Sequence, residues 1–477
     1  MTSRHARTAA TTTAVVACGL LLRFVVGLEP VWWLAWLAPI PLLLLALSLS
    51  TAQARWATLV ATLIGDSVNL AYLRLVMPWP AVVLVLLLQS LLWLFVVMTT
   101  RRIVLRERSA LAVLAYPVAW VAADTLLATF APDGNWASLT YTQSDVLPFM
   151  QVAALLGVPG LLFLLCLVPS TIAWLLWRRH ISRGGVLAIA LTAVAMLGGF
   201  GYGWQRLQAS ASGATMRVGL ASIDDAIGPK ASAGYIAPIR AGYDALVQAL
   251  AAQGATLVVL PEKIAVVAPA ATTDWQAHFS ALAARRHVWL EVGLGIAEAR
   301  PRNVAWLFDA DGHLAESYEK HYLAPPERRE DYAHGEAFAT HDIDGLRMGL
   351  AICKDMHFAA LGRAYARLDV AVMIVPAWDF DYRDGWLEAR TTSARGIENG
   401  YAVLRASREG LLTASDARGR ILAETRSAPL PGASLLVDLP KAAAAPTPYT
   451  RIGDLLGWLC VSALIAWTLL RRRVANA

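Results

Sequence analysis

Three ionisable residues stand just behind apolar, strand-like runs: Glu262 in "LVVLPEK", Lys320 in "ESYEKHYLAP" and Cys353 in "LAICKD". Strand ends are where an α/β sheet presents side chains to a pocket, so residues far apart in the chain can converge there. Taken singly, each has an ordinary explanation. A glutamate after proline opens a turn, a lysine in a charged run is solvated, and a cysteine after "LAI" is a small core hydrophobe. Taken together, they supply the parts of nucleophilic acyl chemistry. A thiolate attacks a carbonyl, a carboxylate takes the thiol proton and later serves the leaving group, and an ammonium stabilises the tetrahedral oxyanion. Lys354 and the backbone N–H groups after Cys353 are candidates for further oxyanion contacts. Trp378 and Trp386 in "VPAWDFDYRDGW" read equally as a gate to a lipid-facing mouth and as core or interfacial anchors. His357 reads as structural, because nothing nearby completes a Cys–His pair.

The other cysteines, Cys18, Cys166 and Cys460, lie inside long apolar runs. Neither a disulfide framework nor a cysteine zinc site can be built around Cys353, and the chemistry calls for no metal and no soluble cofactor.

The elements that must position these residues lie in 215–445. Runs such as "MRVGLASI", "ATLVVLPE", "HVWLEVGLGI", "LRMGLAIC" and "DVAVMIVPAW" read as strands, with turn signals at "DADG" and "DARG". Segments 238–254, 274–287 and 358–368 carry apolar residues at helical spacing. Together they predict a mixed sheet layered with helices and a core of its own. A Pro- and Ala-rich linker is expected at 439–453.

The rest of the chain is lipid-like. Over the whole chain the 57% hydrophobic content and mean hydropathy of +0.50 exceed those of soluble proteins. Eight spans are expected, at 10–28, 31–50, 57–76, 79–99, 109–130, 149–177, 185–204 and 453–470, each near the length a bilayer requires. The organisation expected is a bundle of seven spans over 1–214, a catalytic domain over 215–445, and a linker, eighth span and tail over 446–477. A signal peptide in place of the first span is disfavoured by the absence of a small-residue cleavage pattern.

The net charge of +6 marks topology and not a nucleic-acid partner. Arg4, Arg7, Arg55, the runs at 101–108 and 177–184, and "RRR" at 471–473 all fall on one side of an eight-span chain, with Arg74 the exception. Both termini are then cytoplasmic and the domain lies outside, which in a bacterium is the periplasm. Arg23, Asp66, Asn69, Gln89 and Asp124 lie within spans and raise a transporter reading. Snorkelling of Arg23 and Asp124 near helix ends and pairing of Asp66 inside the bundle is the simpler account.

The motifs "LPE", "YEKHYLAP" and "GLAICKDMHF", with the stretch 394–421, resemble the nitrilase (carbon–nitrogen hydrolase) superfamily. The segments "WWLAWLAPIPLLL" at 32–44 and 134–165 resemble its apolipoprotein N-acyltransferase branch. The resemblance implies an αββα sandwich, with Glu262 as general base, Lys320 as oxyanion stabiliser and Cys353 as acyl-carrying nucleophile. It also implies a second glutamate supporting the lysine, at Glu327 or Glu330. Lys354 and Asp355 depart from the branch, which has an aromatic residue and Glu there, and this bears on acceptor choice. The function implied is ping-pong transfer of an acyl chain from a membrane phospholipid to the N-terminal amine of a diacylated lipoprotein. A membrane-tethered amidohydrolase is the second reading, and a non-catalytic scaffold or transporter the third.

Overall fold

In a computed structural model that describes residues 2–107, 109–136, 138–208 and 213–474, the chain divides into two compact units. One is Met1–Arg206 with Ile452–Ala477, and the other is Leu207–Arg451. Arg108 and residues 475–477 lie outside the described residues, as do the side chains of Arg4, Arg7 and arginines 471–473.

The first unit is helical. Among the described residues, six helical segments are long and apolar enough to cross a membrane: Thr8–Val26, Thr51–Val76, Trp79–Val104, Ala110–Phe130, Ala153–Arg178 and Arg183–Gln208. The two remaining expected spans are the shorter apolar stretches Trp32–Ser48 and Leu455–Leu469. The former is short because a 3-10 turn over Trp32–Trp36 precedes an α-helix that starts only at Pro39.

Helix Thr2–Val26 meets helix Thr51–Asp66 through small residues. A Cβ on Gly19 would lie 2.8 Å from the Ala61 carbonyl oxygen, and one on Gly65 would lie 2.8 Å from Leu22 Cβ. Close backbone approach of this kind is how helices associate without a hydrophobic drive between them. Three of the polar residues of the spans have local partners that account for them. Arg23 donates to Ser67 Oγ at 2.7 Å, Asp66 accepts from Ser90 Oγ at 3.0 Å, and Asn69 donates to the Val26 carbonyl at 2.9 Å. The two segments that carry the branch resemblance meet here. The Trp36 indole donates to Gln143 Oε1 at 2.9 Å, and the Gln143 amide donates back to the Trp32 carbonyl at 2.7 Å.

The second unit is an αββα sandwich. Its strands are β1 (Thr215–Ser222), β2 (Leu257–Val259), β3 (Ala265–Val267), β4 (Trp289–Ile296), β5 (Arg302–Phe308), β6 (Leu314–Glu319), β7 (Ala339–Ile343), β8 (Leu346–Leu350), β9 (Val372–Trp378), β10 (Ala402–Arg408), β11 (Leu411–Ser415), β12 (Ile421–Arg426) and β13 (Ala433–Pro440). One sheet runs β13-β1-β2-β4-β5-β6 with β3 beside β4, and the other runs β12-β11-β10-β9-β8-β7. Strand β13 pairs antiparallel with β1 along its whole length, so the stretch expected as linker begins inside the sheet.

The sheets pack through alternate residues. Val218, Leu220, Leu257 and Val259 of one meet Met348, Leu350, Ile374 and Leu404 of the other, as period-two strands require. On the outer face of the first sheet lie α1 (Ala233–Ala252) and α2 (Thr272–Arg286), which bury Tyr243, Val247, Phe279 and Leu282 against Val258, Leu290 and Val292. On the second lies α3 (Ala359–Arg367), with Tyr365 against Met373 and Val403. Beside it, α4 (Tyr382–Asn399) starts at Asp381, whose carboxylate caps the N–H groups of Arg383 and Asp384.

Two glycines of β4 shape the floor under Glu262. A Cβ at Gly293 would stand 2.5 Å from the Pro261 carbonyl oxygen and 2.8 Å from Glu262 Cα. One at Gly295 would meet Val266 Cγ2 at 3.0 Å. The segment bearing Glu262 therefore lies directly on the bare backbone of β4. Gly293→Ala should lower stability by about 1–3 kcal/mol through overpacking against backbone. It should also reduce activity beyond that loss by moving Glu262, measurable as a drop in melting temperature in detergent alongside turnover of the remaining folded protein.

Candidate active site

Strand β2 delivers Glu262, β6 delivers Lys320, and β8 delivers Cys353, each just beyond the last strand residue. The charged pair is fully buried, with Glu262 2% and Lys320 1% exposed. Lys320 Nζ lies 2.8 Å from Glu262 Oε1 and 3.0 Å from Glu327 Oε2. Glu327 Oε1 in turn accepts from Lys263 Nζ at 2.8 Å. Asn303, at the start of β5, bridges both carboxylates, its amide nitrogen 2.6 Å from Glu262 Oε1 and 2.6 Å from Glu327 Oε1. Two carboxylates and two ammoniums thus form one buried network of zero net charge. For Lys320 and Glu327 burial opposes the charge, and opposite charges outweigh it. Glu262 and Glu327 hold Lys320 well above the usual lysine range, and Lys320 and Lys263 hold Glu327 well below the carboxylate range.

Of the two candidates for the supporting glutamate, Glu327 faces Lys320, whereas Glu330 is exposed. Glu327 sits in the first turn of the short helix Pro325–Arg329, and its Oε2 also accepts the Ala324 N–H at 2.8 Å. Among the described residues, Glu262 Oε2 has no hydrogen-bond partner. A carboxylate with one oxygen tied and the other free is oriented and still able to accept a proton.

Cys353 opens a 3-10 turn, Cys353–His357, directly behind β8. Its φ is +47°, and Lys263, next to Glu262, has φ +48°. Left-handed backbone at a non-glycine residue costs on the order of 1–3 kcal/mol and persists where its surroundings dictate it. The dictating group is Asp355. Its Oδ2 accepts the Ile352 N–H at 2.9 Å and the Tyr318 hydroxyl at 2.8 Å, and its Oδ1 accepts the N–H groups of His321 at 3.1 Å and Tyr322 at 2.8 Å. One carboxylate therefore ties the turn bearing Cys353 to the strand end bearing Lys320. Cys353 Sγ lies 3.7 Å from the Trp378 carbonyl oxygen. Burial pushes the thiol well above its ordinary pKa and Glu262 adds to this, against the opposing pull of Lys320 and Arg405. At rest it is a neutral thiol.

The far wall is held by Asp379. Its carboxylate takes both terminal nitrogens of Arg405, Nη1 at 2.9 Å and Nη2 in a shorter contact, with Ser407 Oγ at 2.8 Å. This buried bidentate pair fixes the end of β9.

The remaining candidates lie as follows. Trp378 has the Arg408 guanidinium 3.9 Å and Lys263 Nζ 5.3 Å from its ring centre, and its indole donates to Glu409 at 2.6 Å. Trp386, half-buried on α4, has Arg390 5.5 Å from its ring. Lys354 Nζ donates to the Leu323 carbonyl at 3.0 Å. His357 Nε2 is 2.6 Å from Glu388 Oε2, both buried. Asn303, Lys263 and the Asp379–Arg405 pair were not among the residues expected from the sequence. Asn303 carried a signal, as a polar residue opening the apolar run "NVAWLF".

A model of the carbon-nitrogen hydrolase family matches residues 226–431, which gives the second unit its class. A model of the apolipoprotein N-acyltransferase N-terminal domain matches residues 18–171. The apolipoprotein N-acyltransferase of Geobacter metallireducens is 26% identical over 401 residues, which cover 77% of this chain and 76% of that protein. A probable hydrolase of Bacillus subtilis is 30% identical over 132 residues, 27% of this chain and 25% of its own. The crystal structure of an amidase from Nesterenkonia sp. aligns at 23% identity and a TM-score of 0.41, over 48% of this chain and 92% of its own. The two matches and the long alignment together support the apolipoprotein N-acyltransferase branch of the nitrilase superfamily as this chain's kin.

The depressed carboxyl of Glu327 makes the fold acid-sensitive in a defined direction. A group that binds its proton more weakly in the folded state adds stability above its unfolded pKa of about 4.3 and loses it as pH falls through the folded value. Glu327→Gln, which leaves buried lysines short of a counter-charge, should cost about 3–5 kcal/mol at pH 7. Thermal melts of the two proteins should converge as pH is lowered below the unfolded carboxyl value.

Proposed function

We propose that the protein transfers an acyl chain from a membrane phospholipid, by way of a thioester on Cys353, to the amino terminus of a diacylated lipoprotein. The observation that supports this most is that the buried Glu262, Lys320 and Cys353 grouping occurs in a chain whose membrane unit matches the acyltransferase N-terminal domain. The arginine distribution supports a cytoplasmic-membrane location with the catalytic unit on the outer side.

As the sulfur attacks the donor ester carbonyl, the thiol proton passes to Glu262, whose free Oε2 accepts it. The negative charge that develops on the carbonyl oxygen is stabilised by the Lys320 ammonium. Collapse of the tetrahedral species breaks the ester C–O bond. The departing alkoxide takes the proton from Glu262 and leaves as lysophospholipid. In the second half the lipoprotein amine attacks the thioester carbonyl and gives up a proton to Glu262. The C–S bond breaks, and the sulfur recovers that proton.

Incubation with phospholipid alone should leave on Cys353 an acyl-sized mass increment that neutral hydroxylamine removes. Adding a diacylated lipopeptide should discharge it onto the peptide amine. Cys353→Ala should show no adduct, and Glu262→Gln should form it about 10²–10⁴-fold more slowly. An adduct discharged to free fatty acid at the same rate with and without lipopeptide would establish a hydrolase instead. Intact-mass measurement of the Cys353 peptide reads each outcome.

A further inference from the structure

Arg408 is the last residue of β10 and stands beside Trp378 in the parallel β9–β10 register. It is only 4% exposed. Its Nε donates to the Glu262 carbonyl at 3.3 Å, and its guanidinium stacks 3.9 Å from the centre of the Trp378 ring. Among the described residues this is its one side-chain hydrogen bond, and it forms no ion pair with a carboxylate. The neighbouring acid Glu409 gives its carboxylate to the Trp378 indole at 2.6 Å. Lys263, the other cation over Trp378, is committed to Glu327 at 2.8 Å. The carboxylates of Glu409, Glu262 and Asp224 lie near enough to favour its charge, yet none is hydrogen-bonded to it, and a guanidinium with both terminal nitrogens free is shaped for a phosphate or carboxylate. The position is one residue pair from the reaction, because the Trp378 carbonyl is the group against which Cys353 Sγ rests.

We propose that Arg408, clamped on Trp378, binds the phosphodiester of the acyl donor while the donor ester lies against Cys353. This rests on the phospholipid-donor reading above. The donor brings an anion a few bonds from the ester under attack, whereas the acceptor brings an amine, which a guanidinium does not attract. Arg408 therefore selects phospholipids over uncharged glycerides in the first half of the reaction and has no part in the second.

The test measures thioester formation on Cys353 by the full chain in detergent micelles, with phosphatidylglycerol and with diacylglycerol of the same acyl chains as donors. Arg408→Gln should slow formation from phosphatidylglycerol about 10–100-fold, the range for a lost charged hydrogen bond. Formation from diacylglycerol should stay within about twofold of wild type on the same basis, as should transfer from preloaded enzyme to lipopeptide. Equal losses on both donors, or none on either, overturn the proposal. If Arg408→Gln loses both through misfolding, Arg408→Lys decides. Recovery on diacylglycerol with a remaining deficit on phosphatidylglycerol supports the assignment, and equal recovery overturns it. A wild-type protein that takes acyl groups from an activated ester such as p-nitrophenyl butyrate, but not from phosphatidylglycerol, defeats the donor reading itself.

Discussion

Everything in the catalytic unit answers to the need to bury two carboxylates and two ammoniums together. Each ion alone would cost several kcal/mol to remove from water, and the loss is recovered only with good geometry and satisfied hydrogen bonds. Glu262, Lys320, Glu327 and Lys263 meet most of that condition through contacts of 2.8 to 3.0 Å, with Asn303 donating to one oxygen of each acid and Glu262 Oε2 alone of the four carboxylate oxygens left open among the described residues. The four charges come from the ends of β2 and β6 and from one short helix, so the network forms only when these elements are in register. It makes the site a consequence of the whole sandwich.

The backbone bends where this demands it. Gly293 and Gly295 leave β4 bare so that Glu262 and Lys263 can lie on it, and Lys263 and Cys353 accept left-handed conformations. Asp355 holds the second of these in place with four acceptor contacts spread over two segments. A longer acid at this position would have to fold its extra methylene into a fully buried pocket. The departure from the branch pattern at Asp355 is thus matched to the spacing of the two segments it joins.

Much of this was legible in the chain. Glu262, Lys320 and Cys353 stood out because each breaks an apolar run at its end, and the strand and helix runs gave a mixed sheet layered with helices, the second sheet entering only through the family resemblance. What stayed hidden was pairing across distance. The last two residues of β13, Leu439 and Pro440, read locally as the start of a linker, and only the partnership with β1 makes "ASLLVDLP" a strand. Lys263, Asp379, Arg405 and Arg408 were not singled out, because nothing local says that they will be buried. The span count was blurred for a related reason. "WWLAWLAPIPLLL" has the hydropathy of a span, but its prolines divide it into a 3-10 turn and a ten-residue helix.

The charge arithmetic of the network bears on why a neutral thiol suffices. At rest the four buried charges sum to zero, and a thiolate on Cys353 would add an uncompensated negative charge beside Glu262, which is one of the causes of its raised pKa. Passing the thiol proton to Glu262 keeps the sum at zero, because a carboxylate disappears as the sulfur becomes anionic. The same transfer removes one of the two carboxylates that hold Lys320. In the proposed reaction the ammonium is then drawn towards the negative charge as it moves from sulfur to the carbonyl oxygen, still anchored by Glu327 at 3.0 Å. Glu327 thereby keeps Lys320 charged and in place at the moment Glu262 lets it go, a role that a Glu–Lys–Cys group without a second glutamate could not fill.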